Sequence, residues 1–226
     1  MSDELTVSIG VPRGAVVLPL DTPAADLVPW AEKAARGLLD PAADEADVTA
    51  LAGALSGAAA DARTRAPVTA LSFCPDPAAG ELARIEVSTL RPPPEAAELA
   101  VRDLARYLAQ PTGRSIALAD VLFGDLPIGP AVRVRQQYVA ASAPAGVPQD
   151  GADADRDAAD GGADGREPED GTGTVLQTVA YAARPPGTDR AVLLFVTWQA
   201  LAHGERLGEL ADRLAETLRM VPVDTG

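Results

Sequence analysis

The sequence predicts an α+β protein: an antiparallel β-sheet of about six to eight strands with helices packed on its faces. Three observations predict it. The run 191–198, Ala-Val-Leu-Leu-Phe-Val-Thr-Trp, is the most apolar stretch of the chain. It is apolar on both parities, as a central strand covered on both faces must be. After a break at His203-Gly204, Leu207, Leu210, Ala211, Leu214 and Leu218 recur at helical spacing within 205–219. They form one stripe that can cover one of those faces. Finally, periodic segments follow the order β-β-α-α-β-β-α-β-β-loop-β-β-α. Strands in consecutive pairs with few helices favour antiparallel pairing.

The elements follow in chain order. Leu5, Val7, Ile9 and Val11 share one parity and predict a half-buried strand over 5–11. Pro12-Arg13-Gly14 turns the chain, and 15–20 returns as a short strand that Pro19 confines to an edge. A helix is predicted over 29–39, with Pro29 tolerated in its first turn. Asp44 caps a longer helix to Arg65, with Val48, Leu51, Leu55 and Ala59 on one face. Gly53 and Gly57 interrupt that helix at a spacing of four. They are either plain tolerance or a place for another element to come close. Segments 68–73 and 82–90 read as an antiparallel pair across a loop rich in Pro and Gly. In the second, Ala83, Ile85, Val87 and Thr89 face one way, and Arg84, Glu86 and Ser88 the other. A helix over 94–108 follows, with Ala97, Ala100, Val101, Leu104 and Leu108 inside. Strands are predicted over 117–123, 131–141 and 174–183, with a turn region at 124–130.

Composition bounds the rest. At 226 residues and 47% apolar content, the chain suits one domain, taken here as 1–226. Aromatics are only 4%, so the core is chiefly Ala, Val and Leu. Lys33 is the one lysine; with heavy use of Ala, Gly, Pro and Asp, this matches the codon bias of a high-GC bacterium such as an actinomycete. A net charge of −14 repels phosphate backbones and anionic headgroups, so no nucleic-acid partner is expected. No run reaches membrane-spanning length, so no membrane insertion is expected. The acidic start lacks an export signal, and the single cysteine allows no internal disulfide, so a cytoplasmic location is expected. Residues 150–170 hold seven Asp, two Glu and two Arg, a net of −7, and nothing apolar except Ala. Segment 143–173 is therefore expected to be a disordered insertion within the domain.

Candidate chemistry is sparse. His203 has no nucleophile motif to serve and reads as a loop or cap histidine. Cys74 has no cationic neighbour in sequence and reads as a buried structural thiol. Asp153, Asp155, Asp157 and Asp164 match calcium-loop spacing, but Ala158 stands where the loop needs glycine, so a solvated linker is the simpler reading. Arg133 and Arg135 alternate on a strand, as an anion site or, more simply, a solvent face would. Trp30 and Trp198 read as core aromatics. No catalytic, cofactor-binding or metal-ligating residue is assigned, and no cofactor is expected.

Three pieces in order carry a resemblance: Gly-Pro-Ala-Val-Arg-Val-Arg (129–135), Gln-Thr-Val-Ala-Tyr ahead of a Pro-Pro-Gly turn (177–187), and the strand–helix end (193–219). Together they resemble small uncharacterised actinobacterial proteins, some associated with type VII secretion. The ending is similar to the Mog1/PsbP-like fold, which includes LpqN-type lipoproteins. The resemblance implies an antiparallel sheet with helices on its faces and a non-catalytic binding or scaffold role. It transfers no functional residue. The export signal and lipidated cysteine of LpqN-type lipoproteins have no counterpart here, and nothing matches an interface for the GTPase that Mog1 binds.

The expected function is therefore a non-enzymatic protein-binding or accessory factor, with a secretion-system link implied by the resemblance alone. The expected partner is another protein. The alternative is a small-molecule-binding module with an apolar cavity between sheet and helices. Deleting 145–170 is expected to leave the melting temperature within a few degrees, because residues that bury nothing add little stability. A large fall in a thermal melt would make that segment part of the fold.

Overall fold

The computed structural model describes residues 5–91, 101–110, 114–140 and 174–222. The expected insertion at 143–173, its four calcium-spaced aspartates, and the first part of the expected helix 94–108 lie outside the described residues. In chain order the elements are β1 (Leu5–Ser8), β2 (Ala15–Val17), α1 (Leu27–Leu38), α2 (Glu45–Arg65), β3 (Thr69–Phe73), β4 (Ala83–Leu90), α3 (Val101–Leu108), β5 (Arg114–Ser115), β6 (Asp120–Leu126), β7 (Gly129–Ala140), β8 (Thr174–Ala183), β9 (Ala191–Trp198), α4 (Gly204–Ala215) and β10 (Arg219–Pro222). Eight strands form one sheet in the order β2-β3-β4-β9-β8-β7, with β5 and β6 both paired to the outer side of β7. Every pairing in it is antiparallel. β1 and β10 form a separate antiparallel ribbon.

The apolar run lies where its two-sided pattern requires. β9 is an inner strand between β4 and β8. Val192, Leu194, Val196 and Trp198 point to one face, into a core shared with Leu207, Leu210, Ala211 and Leu214 of α4. The β1–β10 ribbon adds Val7 and Met220 to that core. Ala191 and Leu193 point the other way, with Phe195 partly buried beside them, toward Leu104, Ala105 and Leu108 of α3. On that second face, over the β2–β3 end, lies the α1–α2 hairpin. Leu55, Ala59 and Ala62 of α2 are fully buried, and Ala70 and Cys74 join the helical clusters. Asp44 caps α2 by accepting from the Asp47 N–H at 2.8 Å.

α4 meets the sheet through polar contacts as well as apolar ones. Arg133 Nε donates to Asp212 Oδ1 at 2.9 Å, and the Tyr181 hydroxyl donates to the same carboxylate. Burial, and then the Asp212 carboxylate, raise the phenol above its ordinary range. Trp198 Nε1 donates to Gln177 Oε1 at 3.1 Å, both residues being buried. At the start of α4 a Cβ on Gly204 would come within 2.6 Å of Gln177 Oε1. The His203-Gly204 break therefore marks a close approach of helix to strand.

Several expectations shift. The first strand is four residues long and pairs with β10, rather than leading into a hairpin with 15–20. The expected helix 205–219 ends at Ala215, and the chain extends again over 219–222. Thr217 makes that transition: its hydroxyl donates to the Leu214 carbonyl and accepts from the Gly10 N–H. Leu218 keeps its buried place but outside the helix. The strand expected at 117–123 runs over 120–126, and the turn region of 124–130 shrinks to residues 127–128. Gly129 allows this, with φ of +129° and its Cα facing the Arg184 carbonyl so closely that a Cβ would lie 2.6 Å away. The edge position of the 15–17 strand holds.

Gly53 and Gly57 are exposed, and an added Cβ at either would meet nothing within 4 Å. Among the described residues they mark no close approach. Gly53→Ala and Gly57→Ala should each stabilise the protein by up to about 1 kcal/mol, read as a rise in the urea midpoint. A fall in the midpoint would mean that another element approaches α2 there.

Candidate functional site

Among the described residues, helices cover the second face of the sheet incompletely. α2 lies over β3 and β4, α3 lies over β7 and β8, and between them the sheet floors a groove of about 1250 Å³. The strand register places its floor residues in rows across β4, β9, β8 and β7. One row is Glu86, Phe195, Ala180 and Val134; the next is Arg84, Thr197, Thr178 and Gln136. Leu176 and Tyr138 continue the floor toward the far end. The floor thus alternates an apolar row with a row of hydroxyl and amide groups.

The two walls differ. The α3 side presents Tyr107, which is half exposed, and Leu108. Gln136 Nε2 donates to the Leu108 carbonyl, which ties this wall to the floor. The Thr178 and Thr197 hydroxyls lie 3.1 Å apart. The α2 side is charged. Arg65 donates to both oxygens of Glu86, at 2.9 and 2.5 Å, and to both oxygens of Asp61, at 2.8 and 2.9 Å. Arg84 holds Glu81 at 2.8 and 3.1 Å and reaches the Ala58 carbonyl of α2 at 3.2 Å. The Arg65 guanidinium holds the Asp61 carboxyl below the usual carboxylate range. Each charged side chain lining this groove is engaged in an ion pair.

The residues weighed from sequence fall elsewhere. Arg133 is not on a solvent face: α4 covers it, and it pairs with Asp212 at 2.9 Å and Asp120 at 3.6 Å. Arg135 is half buried beside Gly204. Cys74 is buried, and burial raises its thiol above the ordinary value, with Ser72 Oγ 3.5 Å away. His203 is an exposed residue at the start of α4, where its side chain makes no capping bond. It borders a smaller concavity of about 680 Å³ with Phe73, Arg206 and Arg213. Trp198 is core, and Trp30 is partly buried between the two clusters of the α1–α2 hairpin. Among the described residues no cluster of His, Cys, Asp and Glu is placed to hold a metal ion. No described helix is long and apolar enough to cross a membrane.

The groove was missed because its floor reads as an ordinary outward face. Arg84, Glu86 and Ser88 alternate with apolar residues, as they would on a strand half in water. The available signal was Thr178, Thr197 and Gln136: polar side chains on strands that prove to be inner ones.

No protein-family model matches the sequence, and no curated protein matches it in sequence. In fold the chain is similar to the crystal structure of LpqN, involved in cell envelope biogenesis of Mycobacterium tuberculosis. The TM-score is 0.51 at 11% identity, over 98% of this chain and 87% of that one. The chain therefore has an LpqN-like α+β fold.

Glu86 is 8% exposed and is ion-paired with Arg65. Arg65→Met should destabilise by about 2 kcal/mol, below the figure for a fully buried pair because the arginine is half exposed. Adding Glu86→Gln should restore part of that loss in urea titrations. If the double variant is no better than Arg65→Met, the pair is not coupled.

Proposed function

We propose that this chain is a non-enzymatic accessory protein whose groove between α2 and α3 seats an amphipathic helix of a partner protein. The observation that carries this reading is a helix-sized gap, among the described residues, between α2 and α3 on the sheet face they share. A helix with its side chains is about 10 Å across, so 1250 Å³ accommodates roughly 16 Å of it, or about ten residues. The alternating rows suit such a ligand, with its apolar stripe over Phe195 and Leu176 and its flanking polar residues at Thr178, Thr197 and Gln136. Charge selects the kind of helix. The groove carries Arg65 and Arg84 against Asp61, Glu81 and Glu86, and the whole chain carries −14, so a basic partner is favoured.

The small-molecule reading is second, because the groove, at about 1250 Å³, exceeds the usual range of about 300–1,000 Å³ for such sites. A non-catalytic role is supported by the consumption of the lining charges in ion pairs, which leaves them structural work. A setting among cell-envelope or secretion machinery is carried over from the likeness to LpqN and from the sequence resemblance, as part of the same proposal.

The test is site-specific photo-crosslinking in the native host, from a probe residue at Tyr107 or Ala54, both exposed on the groove walls. The expected crosslinked peptide is net basic, with apolar residues at helical spacing. Ala54→Trp, which fills the groove from an exposed helix position, should weaken capture about tenfold or more without altering the melt. A peptide lacking helical periodicity, or a small molecule retained in the groove by native mass spectrometry, would overturn the reading.

A further inference from the structure

β6 is an outer strand, and among the described residues it pairs with β7 alone. One side of its backbone therefore offers unpaired N–H and C=O groups. The edge is also apolar. Leu122 is 53% and Phe123 62% exposed; just before the strand, Ile116 is 50% and Leu118 98% exposed. Edges are ordinarily guarded by a bulge or by charge. Here a two-residue shift of register against β7, between β5 and β6, disrupts one end of the edge. Asp120 and Asp125 flank the rest, and the centre of β6 carries no guard.

β6 is self-complementary when read against a reversed copy of itself. With Phe123 opposite Phe123, Leu122 falls opposite Gly124, Val121 opposite Asp125, and Asp120 opposite Leu126. No acid then faces an acid, and the one aromatic pairs with its equivalent. A one-residue shift of register would set side chains of opposite faces against each other, which two copies related by a twofold axis in one sheet cannot do. Beyond the strand, the exposed Leu118 falls opposite Ile128 of the other copy's turn. We propose that a second copy of this chain docks on β6, antiparallel about a twofold axis at Phe123, so that two eight-stranded sheets continue as one. β6 contributes nothing to the lining of the groove, so this surface is independent of the helix-binding reading.

Charge separates this occupant from the other one an edge strand admits, a basic polypeptide added as a strand. Two copies at −14 each repel, and salt screens that repulsion. Self-association therefore tightens as salt rises, whereas a basic partner's binding weakens. Sedimentation equilibrium on the purified full chain, from micromolar to millimolar concentration, should show a reversible dimer that added sodium chloride strengthens. Phe123→Lys should weaken it about tenfold or more. Its side chain is largely exposed, so circular dichroism should be unchanged. Phe123→Cys should be trapped as a disulfide dimer under mild oxidation, because opposed residues in antiparallel strands lie within disulfide reach and the native Cys74 is buried. Val17→Cys, exposed on the opposite edge strand, should stay monomeric. A monomer at every concentration, weakening by salt, or equal trapping of Val17→Cys would overturn the proposal.

Discussion

The burial of β9 on both faces is the constraint from which the rest of the architecture follows. An apolar strand with side chains on both sides requires a cover above and another below. The two covers are built differently. On one face, α4 and the β1–β10 ribbon close over the strand and form the larger core. On the other, the described parts of α3 and of the α1–α2 hairpin lie toward opposite ends and belong to separate clusters. The groove is what remains between them.

The scarcity of aromatic residues shapes how those covers seat. A core of Ala, Val and Leu fills little volume per residue, so helices must come close and polar anchors fix where they rest. On the α4 side the anchor is Asp212, which receives both Arg133 and Tyr181 from neighbouring strands. On the α2 side it is Arg65 on Glu86, with Arg84 reaching back to the helix backbone. Both anchors join a helix to a strand far away in sequence. They fix where each helix rests on its strand.

Much of the fold was legible because burial imposes periodicity on the residues themselves. β8 and β9 fall on their predicted bounds, and α2 begins at its predicted cap. The losses occur where the pattern is carried by a partner. Residues 219–222 have no strand periodicity strong enough to outweigh the preceding leucine stripe; only the unpaired edge of β1 makes them extended. The polar faces of β4, β7 and β8 were legible as polar, but not as a site. Arg133 looked solvated because its counter-ion is on a helix 79 residues later. Thr178 and Thr197 looked scattered until pairing set them side by side.

The β1–β10 ribbon has a consequence for how the chain is made. Among the described strands Leu5–Ser8 is synthesised before all the others, yet its pairing partner, Arg219–Pro222, is synthesised after them all. The large sheet can assemble from nearer neighbours in the meantime, while β1 waits for the longest loop closure among the described pairings. Until β10 has been synthesised, Val7 lacks its pairing strand and the α4 core stays unsealed along one side. Completion of this core waits for the pairing of two strands more than 200 residues apart, and a nascent chain stalled before β10 would expose that oily seam to whatever chaperone stands at the exit tunnel.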